Sequence, residues 1–420
     1  MSTSGTATLR LALRFPTTFV VSAPYVLLFL PLALWNANPQ TDFIIHMWGI
    51  AVAGTLAVEG AVALVAMAEH RSRRSGRAAL RVEPSSLWHG GRVAAVARGV
   101  SLVAITSTLA SVLLGAGTLR SQVDSYVPSG IVGILTPFVS WVSVALALLI
   151  AAHRLGSLSR AAALRWIGGL LATQIAAAYV STITIRAVAF VVLLIMLAFL
   201  TELVPRSWIA AAIGAMALIW PTVYAIRNQL RVANGIDVSD DVSASDRLRF
   251  DEQIVRAAPY GPGHDLGQVG LSEVVRYGLV PRFLDPGRDA LSSGNLINEF
   301  LGGVPFSSYT FLPVATAWFF WGAFAVVLLY AGWATLVTAL RPWRAIDERP
   351  YAFILLTLVL SGPLSCFGTP PDSTIGLLQT LVSTLPVFLL LQLWARRAPT
   401  RSGCHPAPVR TARTLEARRS

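Results

Sequence analysis

Lysine is missing altogether: this chain of 420 residues carries its net charge of +12 on arginine alone. Charge of either sign is scarce, at 13% of residues against about 25% in a soluble domain. That deficit excludes an ordinary water-soluble globule. Cysteine is down to two, Cys366 and Cys404, too few for a disulfide framework or a thiolate metal site. On the topology derived below they fall on opposite sides of a membrane, which excludes a bridge between them. The six histidines are scattered, and HExxH, CxxC, GxxxxGK[ST] and GxSxG are all absent. Zinc hydrolases, dithiol chemistry, P-loop nucleotide enzymes and elbow-serine hydrolases therefore have no support. No internal period of roughly 20–50 residues appears, which excludes a solenoid, and no inverted repeat of the transporter type is visible.

Hydrophobicity is what the chain has in abundance: 55% of residues are apolar and the mean hydropathy is +0.63. The apolar residues form continuous runs, not an alternating pattern, which rules out a membrane β-barrel and leaves helices. Ten runs are long enough to cross a bilayer core, which takes about 20 residues of helix: 17–35, 43–68, 97–118, 130–152, 162–180, 187–204, 207–226, 311–340, 350–367 and 374–394. The expectation is an all-α polytopic membrane protein. Spans one to seven fill residues 1–226, an extracytoplasmic loop fills 227–310, spans eight to ten fill 311–394, and a basic cytoplasmic tail, 395–420, is expected to be disordered. The first run is too long for a secretory signal core and lacks a small-residue cleavage site, so it reads as a retained span.

Arginine sets the orientation. Arg71, Arg73, Arg74, Arg77, Arg81 and Arg92 follow span two, Arg154 and Arg160 follow span four, and Arg206 follows span six. Arg341 and Arg344 follow span eight, and seven more arginines lie in the tail. All fall on one side if the N-terminus is cytoplasmic, so the positive-inside bias predicts both termini inside a cell membrane and the long loop outside. The basic loops read as topology, not as a nucleic-acid surface. An arginine-only chain fits a GC-rich bacterial genome. The long loop has eleven acidic residues against eight arginines. It contains two amphipathic patterns, one through Leu271, Val274, Val275 and Leu279, the other through Leu296, Ile297, Phe300 and Leu301 before Gly302-Gly303. Helices of this kind lie on a membrane surface or cover the mouth of a cavity.

Few side chains can carry chemistry, and they gather at the outer rim. Arg186 lies between two apolar runs, where a charge is costly and is either functional or a snorkelling hairpin marker. Arg276, Arg282 and Arg288 follow within a stretch punctuated by Pro281 and Pro286. Guanidinium forks suit phosphate oxygens; the alternative for this group is surface salt bridges with Asp285 and Asp289. His264 is the one histidine of the long loop. Trp318 and Trp321 read as an interfacial belt.

In these segments the chain resembles the O-antigen polymerases, the oligosaccharide repeat-unit polymerases of bacterial envelopes. The resemblance rests on Thr182-Ile-Thr-Ile-Arg186, on Pro281-Arg282 through Pro286-Gly-Arg288 to Gly294-Asn295, and on Ser308, Thr310, Pro313 and Phe320-Trp-Gly322. These parts cover 162–330, under half the chain. Two departures stand out. Thr316 occupies a position where many relatives carry an acid, and Arg288-Asp289 replaces a lysine–proline pair. The resemblance implies a metal-independent, cofactor-free membrane glycosyltransferase that joins oligosaccharides carried on a polyprenyl diphosphate. It implies Arg186, Arg282 and Arg288, with Arg276 in support, on the diphosphate, and His264, Asp285 and Glu299 on the acceptor side. It also implies a lipid bilayer setting and, as partners, the flippase and chain-length regulator of such a pathway, with no nucleic acid. A ligase of the same superfamily and a transporter or flippase of lipid-linked sugars are the competing readings.

Overall fold

The computed structural model describes residues 15–73, 90–115, 130–181, 184–201, 203–233, 245, 248–266, 269–280, 284–285, 292–303, 308–340 and 350–396. Every regular element among them is helical. In hydrocarbon nothing but the chain itself can satisfy a backbone N–H or C=O, and a helix does so within one segment. We number the helices α1 (Pro16–Trp35), α2 (Thr41–Arg73), α3 (Gly90–Leu113), α4 (Gly130–Val139), α5 (Trp141–Arg154), α6 (Arg160–Ser181), α7 (Thr184–Thr201) and α8 (Arg206–Ala233). Then come three short helices, α9 (Phe250–Val255), α10 (Leu271–Leu279) and α11 (Ser293–Phe300), followed by α12 (Pro313–Leu340), α13 (Pro350–Ser361) and α14 (Pro370–Arg396).

Eight stretches are long and apolar enough to cross a membrane: Pro16–Trp35, Thr41–Val65, Arg92–Leu113, Pro137–Arg154, Arg160–Ser181, Arg206–Ala233, Pro313–Ala339 and Pro370–Leu390. The chain is thus an all-α, multi-pass membrane protein. The other two expected spans form shorter helices: the apolar part of α7 runs Arg186–Thr201, and α13 stops at Ser361, where Gly362 begins a turn. The fourth expected span divides into α4 and α5 at Ser140, three residues after Pro137, but Ser140 keeps helical torsions (φ −67°, ψ −16°) and Pro137–Arg154 runs on as one stretch. The eighth is interrupted at Gly322, which adopts φ 80° and ψ 172°. A hydropathy average does not register a backbone torsion, so this break looked like continuous helix.

The centre of the bundle is α5. From Val144 to Ala152 every side chain is fully buried. The segment is apolar all round, as a helix walled in by protein must be, and it packs among α3, α6 and α13. Small residues set how closely helices approach in lipid. Along the extensive α2–α12 contact, a Cβ at Gly54 would overlap the carbonyl oxygen of Val327. By contrast, α8 packs mainly on α7 at the periphery. In α1 a π-turn, Tyr25–Phe29, follows Pro24, the usual adjustment for a carbonyl that proline deprives of its donor.

The two ends of the bundle differ. At one, Asn38 in the α1–α2 turn donates to Asp251 of α9 (3.0 Å). The Phe250 ring packs between Phe29 and Phe367, and Asp372 of α14 receives Ser293 of α11. This loop-bearing end therefore gathers α9, α10 and α11 over α1, α2 and α14. At the other end, Arg154 of α5 reaches the carbonyl of Thr201, the last residue of α7. The opposite terminus of α7, with Arg186, consequently lies at the loop-bearing end.

Candidate functional site

The site is built around the break in α12. Residues 311–320 are buried without exception. They form a short half-helix beginning at Pro313, bounded by Leu312 at φ 67° and by Gly322 at φ 80°. Left-handed backbone at a buried leucine is costly and persists only where the surroundings enforce it. Here Thr310 Oγ1 accepts from Leu312 N–H (3.1 Å) and the Leu312 carbonyl accepts from Thr316 N–H (2.8 Å).

The turn at Gly322 robs the Phe319 carbonyl of its helical donor. The residues before α10 replace it twice over: the N–H groups of Gly263 (2.9 Å) and His264 (2.8 Å) both donate to Phe319 O. Trp321 Nε1 returns a bond to the carbonyl of Val269 (3.1 Å). The polar loop and the broken span therefore satisfy each other's backbone, which is how non-helical chain is tolerated at membrane depth. Gly322 suits its torsion because it has no Cβ.

The same contacts fix His264. Its ring stacks on Phe319 (centroids 4.5 Å apart, 24° between planes) and lies 5.1 Å from Phe300. Its Nε2 lies 2.8 Å from the Tyr260 carbonyl. A carbonyl only accepts, so Nε2 carries the proton, and in the neutral ring Nδ1 is left as the acceptor. That is the arrangement of an oriented base. Around it stand the half-exposed rings of Tyr260 and Phe300, in edge contact at 5.3 Å. The guanidinium of Arg256 sits 4.8 Å over the Tyr309 ring, and Tyr309 N–H donates to Gly294 O. Gly294 opens α11 against Ser308, and a Cβ there would strike the Ser308 hydroxyl.

Of the other expected residues, Arg276 and Asp285 are brought together. Arg276 Nε and Nη2 reach Asp285 Oδ2 at 2.7 and 2.6 Å, the surface ion pair that the sequence offered as the alternative to anion binding. Each occupies groups the other would offer a substrate. Glu299 is exposed in the last turn of α11. Arg186 is exposed in the first turn of α7, where a cation opposes the helix dipole, so its position is not one that helix stability selects. Arg282 and Arg288 lie outside the described residues. The principal neighbours of α7 are α5, α6, α8 and α13, and that of α10 is α14, so Arg186 and Arg276 belong to different sectors of the rim.

Three carboxylates were not singled out from sequence. Asp251, fully buried, accepts from Asn38 and from Arg249 Nε (3.1 Å). Burial alone would raise its carboxyl, but hydrogen bonds from Arg249 and Asn38 and the nearby guanidinium hold it below the ordinary range. Asp372 accepts from the backbone N–H (3.2 Å) and hydroxyl (2.8 Å) of Ser293 and from Thr369 Oγ1 (2.9 Å), pinning α11 to α14. Glu59, 2% exposed inside an apolar span, accepts from the N–H groups of Thr17 (2.7 Å) and Thr18 (3.1 Å), so it caps the start of α1 from a neighbouring helix. An acid deep within the apolar stretch Thr41–Val65, whose other acid, Asp42, lies in the first turn, was a visible signal for Glu59. The other two carry no local signature, because their partners are remote in sequence. A small crevice between α1, α7, α12 and α13, lined by Phe19, Val20, Leu200, Val337 and Leu356, has no charged side chain.

Fold and rim together define a multi-pass helical membrane protein with a polar, aromatic-lined shelf at one end. Compared with known proteins, the chain matches no family model, no curated protein and no solved structure.

Proposed function

We propose that the chain is a metal-independent membrane glycosyltransferase of the O-antigen polymerase kind. It would join polyprenyl-diphosphate-linked oligosaccharide units at the outer face of the cytoplasmic membrane, with both termini cytoplasmic. One observation carries the reading: Ser308–Gly322, a segment on which the resemblance rests, also departs from regular helix at both Leu312 and Gly322. Strained backbone, a doubly capped carbonyl and an oriented imidazole all converge on it, and such concentrations of irregularity mark functional sites. Transfer from a diphosphate requires cations for the departing charge and an acceptor for the proton of the incoming hydroxyl. In this reading Arg186, Arg282 and Arg288 meet the first need. Nδ1 of His264 meets the second, with Glu299 as a second candidate on the acceptor side. Asp285, already engaged by Arg276, serves to position that arginine.

The purified protein, given a defined lipid-linked repeat unit, is expected to yield a ladder of polymers by mass analysis. Arg186→Ala or Arg282→Ala is expected to leave single units on the carrier, with a loss of at least a hundredfold, the scale of removing one transition-state cation or donor. Normal polymer length in both variants refutes the polymerase reading. A discontinuous span is also a feature of transporters; if the sealed, reconstituted protein moves the lipid-linked unit across the bilayer without elongating it, the transporter reading replaces this one.

A further inference from the structure

Helix α10 has a wider apolar face than the protein covers. With 3.6 residues per turn, Val274 and Gly278 sit within about 40° of each other, and Val275 and Leu279 follow at about 100° and 140° round from Val274. Arg276, Glu273 and Tyr277 occupy the remaining arc, and Ser272, seven residues before Leu279, lies within about 20° of it. Val274 and Gly278 are buried, whereas Val275 and Leu279 remain 45% and 47% exposed. The covered half packs on α14: Gly278 lies directly against the Leu378 side chain, and Gln379 Nε2 donates to the Tyr277 carbonyl (2.9 Å).

The place on α14 where it docks decides what meets the uncovered half. Leu378, Leu385 and Leu389 are seven and eleven residues apart and share one stripe of α14 to within about 20°. Leu385 and Leu389 are 53% and 57% exposed, on a candidate span running Pro370–Leu390. They form the bundle's outer wall, which faces acyl chains. Leu378, at the top of that stripe, is where α10 sits. Helix α10 therefore lies on the perimeter, about 10 Å above bare lipid-facing leucines, and not over the half-helix at the rim's centre.

We infer that α10 is an interfacial helix seated in the bilayer leaflet at the loop-bearing end, with Val275 and Leu279 immersed among lipid chains and Glu273 and Arg276 turned to the headgroups and water. Its occupant is bilayer lipid. The continuity of its bare face with the lipid-facing stripe of α14 excludes a water-facing role, and the division between an apolar and a charged arc is that of a helix lying in the membrane plane. The inference is independent of the glycan reading, since it needs only the bundle and the bilayer.

The test uses the full chain in lipid nanodiscs, with Cys366→Ser and Cys404→Ser and one nitroxide at a time at position 273, 275 or 279. Collision rates with oxygen and with a water-soluble nickel chelate are compared. Oxygen is expected to dominate at 275 and 279 and the chelate at 273. Chelate dominance at 279 equal to that at 273 overturns the proposal, because the face is then in water. Exclusion of both reagents at 275 and 279 overturns it too, because protein or a second copy then covers the face. The unaltered protein provides a second measurement: a phospholipid with a photoreactive group on its acyl chain is expected to label the peptide containing Val275–Leu279, and absence of that adduct counts against the proposal.

Discussion

At Asp251, a fully buried carboxylate, the hydrogen bonds joining a surface helix to the bundle depend on one ionised group. Arg249 and Asn38 both donate to it, and they hold its carboxyl below the ordinary range against the opposing effect of burial. A carboxyl depressed in the folded state contributes stability above its unfolded value, about 3.9. That contribution drains away as the pH falls through the folded value. Asp251→Asn keeps the shape and removes the charge. The expected cost is on the order of 2 kcal/mol at neutral pH, the scale of a buried charge-assisted hydrogen bond, read as a lower thermal midpoint of the solubilised protein. The gap between variant and wild type is expected to narrow as the pH falls below about 4. A gap that persists unchanged at pH 3 would mean that the carboxylate's charge is not what anchors α9.

Packing between elements is governed by small residues, and α2 offers an internal comparison. Gly54 faces the Val327 carbonyl so closely that no side chain fits, while Gly60 has open space where its Cβ would be. Gly60→Ala is expected to be neutral or stabilising by up to about 1 kcal/mol through helix propensity. Gly54→Ala is expected to cost about 1–3 kcal/mol, the price of overpacking, because α2 must move off α12; thermal unfolding of the two variants side by side reads the difference. At this scale much was legible. The apolar runs located the membrane helices, and the leucine and valine spacing located α10 and α11 (Leu271–Leu279, Ser293–Phe300). The break at Gly322 and the shortness of α7 and α13 were not, since hydropathy counts side chains and these features belong to the backbone. The site was legible in its residues and not in its pairings. His264 and the Arg276–Asp285 pair stood out as residue types, but the Tyr260 carbonyl that orients His264 and the Ser293 that meets Asp372 become neighbours only through tertiary contact.

For the molecule as a whole, the contacts determine relative ends and the arginines bear on which end faces which compartment. Asn38, Phe367 and Asp372 share the loop-bearing end with α9 and α11, while Arg154 and Thr201 meet at the other. The loop-poor end carries Arg154, Arg160 and Arg206 in the short connections flanking α5 to α8. The positive-inside bias counts arginines in short loops and disregards acidic residues in long ones, so the predicted orientation has the loop-bearing end outside the cell. A phosphatase domain that is active only outside, inserted at Ser245 between α8 and α9, is expected to be active there. A fluorescent domain that matures only inside, joined after the tail, is expected to fluoresce. The pairing matters because the two reporters fail in opposite directions. An active insertion with a dark tail would mean an even number of crossings between α8 and the tail, so that α12, α13 and α14 do not all span. An inactive insertion with a fluorescent tail would also require an even number, but with the shelf carrying His264 and Arg256 facing the cytoplasm. A lipid-linked glycan displayed on the outer leaflet could not reach the shelf in that arrangement, so this outcome would remove the proposed reaction along with the orientation.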